Sequence, residues 1–305
     1  MDFATARAFF FAPPAEGAPV PTPFTGTPSP ARRLRDAIEP LACVAIWSDE
    51  AAARYVELGL DDWFAAYVWQ RVAALGTPPA PLAVTAMGVW PAEVIGPLYE
   101  AASAVIFRDD MVATRITGGG LTLRRRLGDI DADAARVVTA LRRGIGAART
   151  GARPMFSGML ADPWPDDPLA QLVHACNLLR EHRFDSHLAV CAVEGLDGVE
   201  MNILTGLYCG YPLLTYVGTR SWPEDAQLAA VERLRGRGLV DGDGLSAEGL
   251  RYRRDLEDRT DTMQQTVVDA IGPDLDVYVK QLDAWSTALI AADGAPSDPA
   301  KRAAG

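Results

Sequence analysis

Histidine, lysine, paired cysteines and long apolar runs are all scarce in this chain, and each shortage removes a class of function. No apolar stretch approaches the ~18 residues that a membrane-spanning helix requires. The run from Ala8 to Ala12 is too short for a signal-peptide core and is flanked by prolines, so the expected setting is the cytoplasm, with no membrane partner. The four cysteines, Cys43, Cys176, Cys191 and Cys209, stand far apart without a CxxC pair. That spacing argues against a zinc knuckle or a disulfide framework and suits small buried hydrophobes in a reducing compartment. HExxH and GxSxG motifs are missing, and Gly118-Gly119-Gly120 has neither the GxGxxG nor the Walker spacing, so no metal, nucleotide or other cofactor is implied. Positive charge is also in the minority, with 29 Lys and Arg against 40 Asp and Glu and a net charge of −11. A nucleic-acid partner therefore needs a local basic face, because phosphates must be met by cations.

What is present is helical period. The 305 residues, 49% of them hydrophobic, are enough to bury a sizeable core. Residues 1–30 carry seven prolines and read as a flexible or polyproline-like arm, in which Phe9, Phe10 and Phe11 are costly to leave in water and should pack on the body or on a second subunit. Helices are expected over 32–43 (bent or broken at Pro40), 48–58 with Ser48 as N-cap, 61–75, 92–107, 131–148 and 168–183. Gly118-Gly119-Gly120 and the stretch from Pro163 to Pro168 read as loops. Gly59-Leu60-Asp61-Asp62 and Gly195-Leu196-Asp197-Gly198 echo each other, either through duplication of a helical unit or because Gly-Leu-Asp is a common interhelical turn.

Near the C-terminus the pattern changes. A helix with Leu228, Val231 and Leu234 on one face ends at Gly236-Arg237-Gly238, and Leu239-Val240 opens a short strand that turns at Asp241-Gly242-Asp243-Gly244. Ser246 then caps a long helix stopped by Gly272-Pro273. The fold class expected is thus mostly α, a multi-helix bundle with a C-terminal winged-helix-like module and a small β-hairpin. The expected division is arm 1–30, helical domain 31–187, winged-helix-like module with C-terminal helix 188–292, and flexible tail 293–305.

The order helix, "RLRGRGLV", tight turn, "LSAEG", long helix resembles a winged helix of the MarR kind. The string "LSAEGLRYRRDLEDRTD" is similar to the ending of an actinobacterial family usually labelled SalK-like or helix-turn-helix proteins. "LREHRFDSH" at 179–187 and Tyr67…Arg71…Leu75-Gly76 extend that resemblance over about residues 31–272. This chain departs from the family at Phe184-Asp185-Ser186-His187 and at Ala42, where relatives carry a histidine. The resemblance implies a winged helix; whether that helix reads DNA depends on its charge. The helix that would enter a groove starts with Pro223, Glu224 and Asp225, and the wing carries Asp241 and Asp243, which argues against a nucleic-acid partner.

All three histidines fall in one segment, with Glu181, Arg183 and Asp185 beside them. Leu169, Leu172, Val173, Cys176 and Leu179 mark a buried stripe, which places His174 on the opposite, exposed side. At a rise of ~1.5 Å per residue, His174 and His182 are about 12 Å apart and cannot share a metal ion. His182 and His187 pair better if the chain turns between them. Asp185 and Ser186 are good N-caps, so a second helix is expected to start at His187 and keep that imidazole neutral. Such a ring near Asp185 and Glu181 suits a general base or, less well, a metal ligand; alternatively these charges merely staple a helix corner.

The candidate catalytic residues are therefore His182, Asp185 and His187. Tyr67, Trp69, Arg71, Glu181 and Arg183 are the candidate substrate-binding residues, in a pocket between the 61–75 helix and the histidine corner. The function expected is binding of a small molecule, with a cofactor-independent biosynthetic enzyme using His/Asp acid–base chemistry as its catalytic form. The alternative is a ligand-responsive MarR-like regulator. Terminal helices commonly pair in such proteins, so a homodimer through Leu282, Trp285 and Leu289 is expected.

Overall fold

The structure, a computed structural model, describes residues 1–14, 16–17, 21–24 and 27–303; parts of the proline-rich arm and the end of the tail lie outside the described residues. Helix starts are set by short polar caps. Asp2 caps α1 (Phe3–Phe11), Ser29 caps α2 (Pro30–Cys43), Ser48 caps α3 (Asp49–Glu57) and Asp62 caps α4 (Trp63–Val72). Then come α5 (Ala80–Met87), α6 (Ala92–Val105), α7 (Arg108–Leu127), α8 (Asp131–Ala147) and α9 (Pro154–Met159). Asp167 caps α10 (Pro168–Val193), and an Asp197–Glu200 capping box starts α11 (Gly198–Tyr208). The winged part continues with α12 (Thr215–Gly218), α13 (Glu224–Gly236), β1 (Val240–Asp241), β2 (Gly244–Leu245) and α14 (Ala247–Thr262). Helices α15 (Gln265–Ile271), α16 (Leu275–Ala291) and α17 (Pro299–Ala303) close the chain. The mostly helical class with one small antiparallel hairpin, Val240 facing Leu245, is as the sequence predicts.

Three apolar clusters hold these elements. The first packs α2, α8, α10, α15 and α16 around Leu41, Leu141, Leu178 and Leu282. The second joins α3 through α7 around Trp69, Met87 and Ile95. The third is the core of the winged part, with Cys191, Leu204, Leu234 and Leu256. Helix α10 contributes to all three.

Several expectations change. The glycine triplet is not a loop but the middle of α7, where α7 crosses its neighbours at close range. A Cβ on Gly118 would lie 2.9 Å from the Ala51 backbone, and one on Gly120 would lie 2.9 Å from the Ala170 nitrogen. Tertiary packing overrides low helix propensity here. No turn separates His182 from His187, since α10 runs through both for 26 residues, ~39 Å at 1.5 Å each. The expected boundary after residue 187 therefore falls inside one helix. Pro40 does not end α2, whereas the single helix expected over 246–271 is interrupted between Thr262 and Gln265. His174 is 1% exposed, edge-on to Trp164 at 4.8 Å, rather than on the surface. Leu282, Trp285 and Leu289 are buried within the chain itself, so they form no dimer face.

The arm's first turns are helical. Phe10 packs on Trp47 and Trp63 at 5.1 and 5.6 Å, and Arg7 donates to the Asp293 carbonyl, so the two chain ends meet. Both Gly-Leu-Asp turns close alike. A positive-φ glycine (Gly59, Gly195) follows the helix, the next leucine amide donates to the carbonyl of Tyr55 or Cys191, and Asp62 or Asp197 caps the following helix. In "LSAEG", Gly249 is needed because a Cβ would collide with the carbonyl of Leu239, the residue before β1.

Candidate functional site

A cleft of about 110 Å³ opens where the first two-thirds of the chain meets the winged part. Helical spacing aims polar and charged residues into it: Arg32, Arg35 and Glu39 from α2, Tyr67 and Arg71 from α4, Arg180, Arg183 and His187 from α10, and Arg253 and Glu257 from α14. Arg220, just after α12, completes the wall beside Trp90 and Tyr216.

Most of the guanidiniums are fixed by carboxylates. Arg71 grips Glu181 with both arms, Nε to Oε1 at 3.1 Å and Nη2 to Oε2 at 2.7 Å, and lies 4.4 Å above the Phe184 ring. Arg180 bridges Glu39 and Glu181; Arg32, Arg183 and Arg253 converge on Glu257. Burial alone would raise these carboxyls. Arg180 and Arg35 instead hold Glu39 down at about 2, and Arg253 and Arg183 keep Glu257 well below the ordinary range. Among the described residues, six of the seven lining arginines contact carboxylates, those of Asp36, Glu39, Glu181, Glu257 and Asp261. Arg220 makes no carboxylate contact there. Its guanidinium lies 4.8 Å from the Trp90 ring centre and 4.4 Å from that of Tyr216, whose hydroxyl accepts from Nη2 at 2.5 Å.

The expected site residues divide. Tyr67, Arg71, Arg183 and His187 line the cleft, and Glu181 lies directly behind Arg71. Trp69 does not: it is fully buried, its indole donating to the Ile106 carbonyl at 2.9 Å, because it sits on the core side of α4. His182 and Asp185 do not line it either, since a continuous α10 turns them to the opposite face. There His182 Nδ1 meets Gln264 Oε1 at 2.6 Å and the ring abuts Phe156, while Asp185 accepts the Phe156 amide at 2.9 Å. Burial raises the Asp185 carboxyl to about 7, against the Phe156 amide and aided by Glu181.

His187 is neutral, but not through a helix start. Burial first, then Arg253, lowers it to about 3. The Thr260 hydroxyl donates to the Leu256 carbonyl, so its oxygen accepts from His187 Nδ1–H at 3.1 Å, leaving Nε2 to face the Cys191 thiol at 3.6 Å. A ring so engaged and so weakly basic is a wall, not a general base for neutral pH. Among the described residues no group of three or more His, Cys, Asp or Glu is arranged to hold a metal ion. Among the described residues no helix is long and apolar enough to cross a membrane.

Sequence reasoning missed Arg32, Arg35, Arg180, Arg220 and Arg253. The available signal was the i, i+3, i+7 repeat of charge on the inner side of α2 and α10, where an apolar stripe would be usual.

The exposed side of α13 offers Glu224, Asp225 and Glu232 against Arg233, Arg235 and Arg237, and the wing adds exposed Asp241 and Asp243. Arg233 is already held by Asp197 and Glu200, at 2.5 and 2.9 Å, and Arg235 by Glu232 at 2.7 Å.

A model described as a helix-turn-helix family matches residues 31–296. No curated protein and no solved structure matches the chain.

Proposed function

The chain belongs to a helix-turn-helix family, and from that premise and the arginine cleft we propose that it binds a small anionic molecule on a winged-helix scaffold that does not read DNA. The observation that carries this reading is the convergence of seven guanidiniums on a half-enclosed cleft, with Arg220 held by rings rather than by an acid. Arginines with fixed forks suit carboxylate or phosphate. An incoming anion replaces water on groups already oriented, which keeps the ordering cost of binding low.

Acid–base catalysis is the weaker form of this proposal, because His187 is engaged at both nitrogens while His182 and Asp185 face away from the cleft. Family membership favours a second reading, a ligand-responsive regulator. The net acidic face of α13 and its wing weighs against it, because a groove-facing surface must attract phosphates.

Two measurements test the proposal. Inorganic phosphate and acetate should raise the melting temperature in a manner that sodium chloride weakens, and Arg220→Gln should reduce the apparent affinity at least threefold. No stabilisation by either anion at tens of millimolar would end the anion reading. In a gel-shift assay at physiological salt the protein should leave DNA from around its own gene unshifted. A sub-micromolar shift with a steep salt slope would establish the regulator instead.

A further inference from the structure

The arginine cleft adjoins a second cavity of about 200 Å³, and Glu39, Tyr67, Trp90, Arg180, Tyr216 and Arg220 line both. The second cavity is walled by rings. Phe10, Trp47, Trp63 and Tyr67 follow one another with centroids 5.1, 5.2 and 5.7 Å apart, the last two contacts stacked, and Trp90 lies 6.1 Å from Tyr67. Its cover comes from the chain ends. Phe9 and Phe10 line it from α1, and Lys301 and Arg302 line it from α17, with the Lys301 ammonium donating to the Phe9 and Ala12 carbonyls at 3.3 and 2.9 Å. These four residues fall outside the matched stretch 31–296.

Building on the anion-binding reading, we propose that the ligand is an aromatic acid: a planar ring system seated in this chamber, with a carboxylate or phosphate attached directly to it and held by Arg220 and Arg180. Three observations converge. The chamber walls are ring faces and edges, which favour offset or edge-on contact with another ring at 4.5–7 Å. The space is a little larger than the ~150 Å³ apolar cavity that holds one benzene, so one ring or a fused pair fits. Arg220 lies where the two cavities join, its cation against Trp90 and Tyr216, so a charge within bonding reach of it sits at the edge of the chamber rather than several carbons away. A flexible fatty acid would gain no stacking here and would lose chain entropy.

The test is a titration by intrinsic tryptophan fluorescence and calorimetry with five probes: naphthoate, naphthyl phosphate, the uncharged naphthalenemethanol, acetate and inorganic phosphate. One of the two aromatic anions is expected to bind at least tenfold more tightly than its non-aromatic counterpart and than naphthalenemethanol; which of the two is tighter identifies carboxylate or phosphate. Trp63→Leu should weaken the aromatic anion about tenfold and leave acetate and phosphate unchanged. Phe10→Ala, in the cover rather than the core, is the companion variant should Trp63→Leu not fold. If the aromatic anions bind no better than acetate and phosphate, the chamber inference is overturned while anion binding stands. If naphthalenemethanol equals naphthoate and Arg220→Gln changes neither, the anion reading itself fails. Absence of binding by every probe overturns both.

Discussion

Adding one methyl group to Gly120 should destabilise this protein even though the same change elsewhere on its helices stabilises it. Glycine costs a helix interior ~1 kcal/mol relative to alanine, so propensity alone favours Gly120→Ala. Against this, the new Cβ would meet the Ala170 nitrogen and Cβ at 2.9 Å and its Cα at 3.0 Å. Ordinary contact lies near 3.5–4 Å, so α7 and α10 must separate by several tenths of an ångström, and backbone cannot swing aside as a side-chain tip can. Overpacking of this kind costs ~1–3 kcal/mol, leaving a net loss of up to ~2 kcal/mol, or a melting temperature lower by up to about 4 °C. Gly146 is the internal control. It is exposed on α8 with nothing within 4 Å of its would-be Cβ, and alanine there should gain ~0.5 kcal/mol. Thermal and urea unfolding followed by circular dichroism compare the two. A Gly120→Ala protein as stable as Gly146→Ala would refute the claim that the glycines exist for helix contact.

Asp185→Asn should matter only above mildly acidic pH. Its carboxyl, raised from 3.8 to about 7, favours the protonated form in the folded chain, so stability is full below pH 4 and is lost as pH rises towards 7. At ~1.4 kcal/mol per pH unit the cost reaches up to about 4 kcal/mol at pH 8, and the variant should be the more stable protein there but not at pH 4; equal stability at both ends of a pH series of urea melts contradicts this. Glu181→Gln, which leaves Arg71 buried without the carboxylate that grips it, should cost ~2–4 kcal/mol in the same assay, and an unchanged midpoint would count against the pair's role. Trp285→Asp should unfold the chain by ~3–5 kcal/mol, as expected for a 6%-exposed core residue; light scattering that showed a stable, folded monomer would instead restore an intersubunit role.

Where local chemistry decided, the sequence was readable. Ser48 and Ser246 cap the helices they were expected to cap, and the hairpin turns at Gly242 and Asp243. It was unreadable where a distant element decided. Asp185 illustrates the difference: its capping chemistry is real, but the amide it accepts belongs to Phe156 in the first turn of α9, not to a new helix at His187. The glycine triplet misled for the same reason, since its small size serves Ala51 and Ala170 across space. At the site, Tyr67, Arg71, Arg183 and His187 could be drawn together from sequence because two helices bear them. Arg32 and Arg253 could not, since only the crossing of α2, α10 and α14 sets them on the same carboxylate of Glu257.

The cleft is built with arginine where lysine and histidine would have been alternatives, and this makes it electrically constant. A guanidinium does not lose its proton in a protein, Glu39 and Glu257 are held ionised far into acid, and His187 is discharged above about 3. Asp185, which does exchange its proton near 7, points to the Phe156 amide on the other side of α10. Over roughly pH 5 to 8 these charged walls keep one fixed potential. With Asp185 replaced by Asn, any inflection in binding across that range therefore belongs to the guest, and an affinity-versus-pH curve becomes a titration of an unidentified ligand that reads out its own acid dissociation constant.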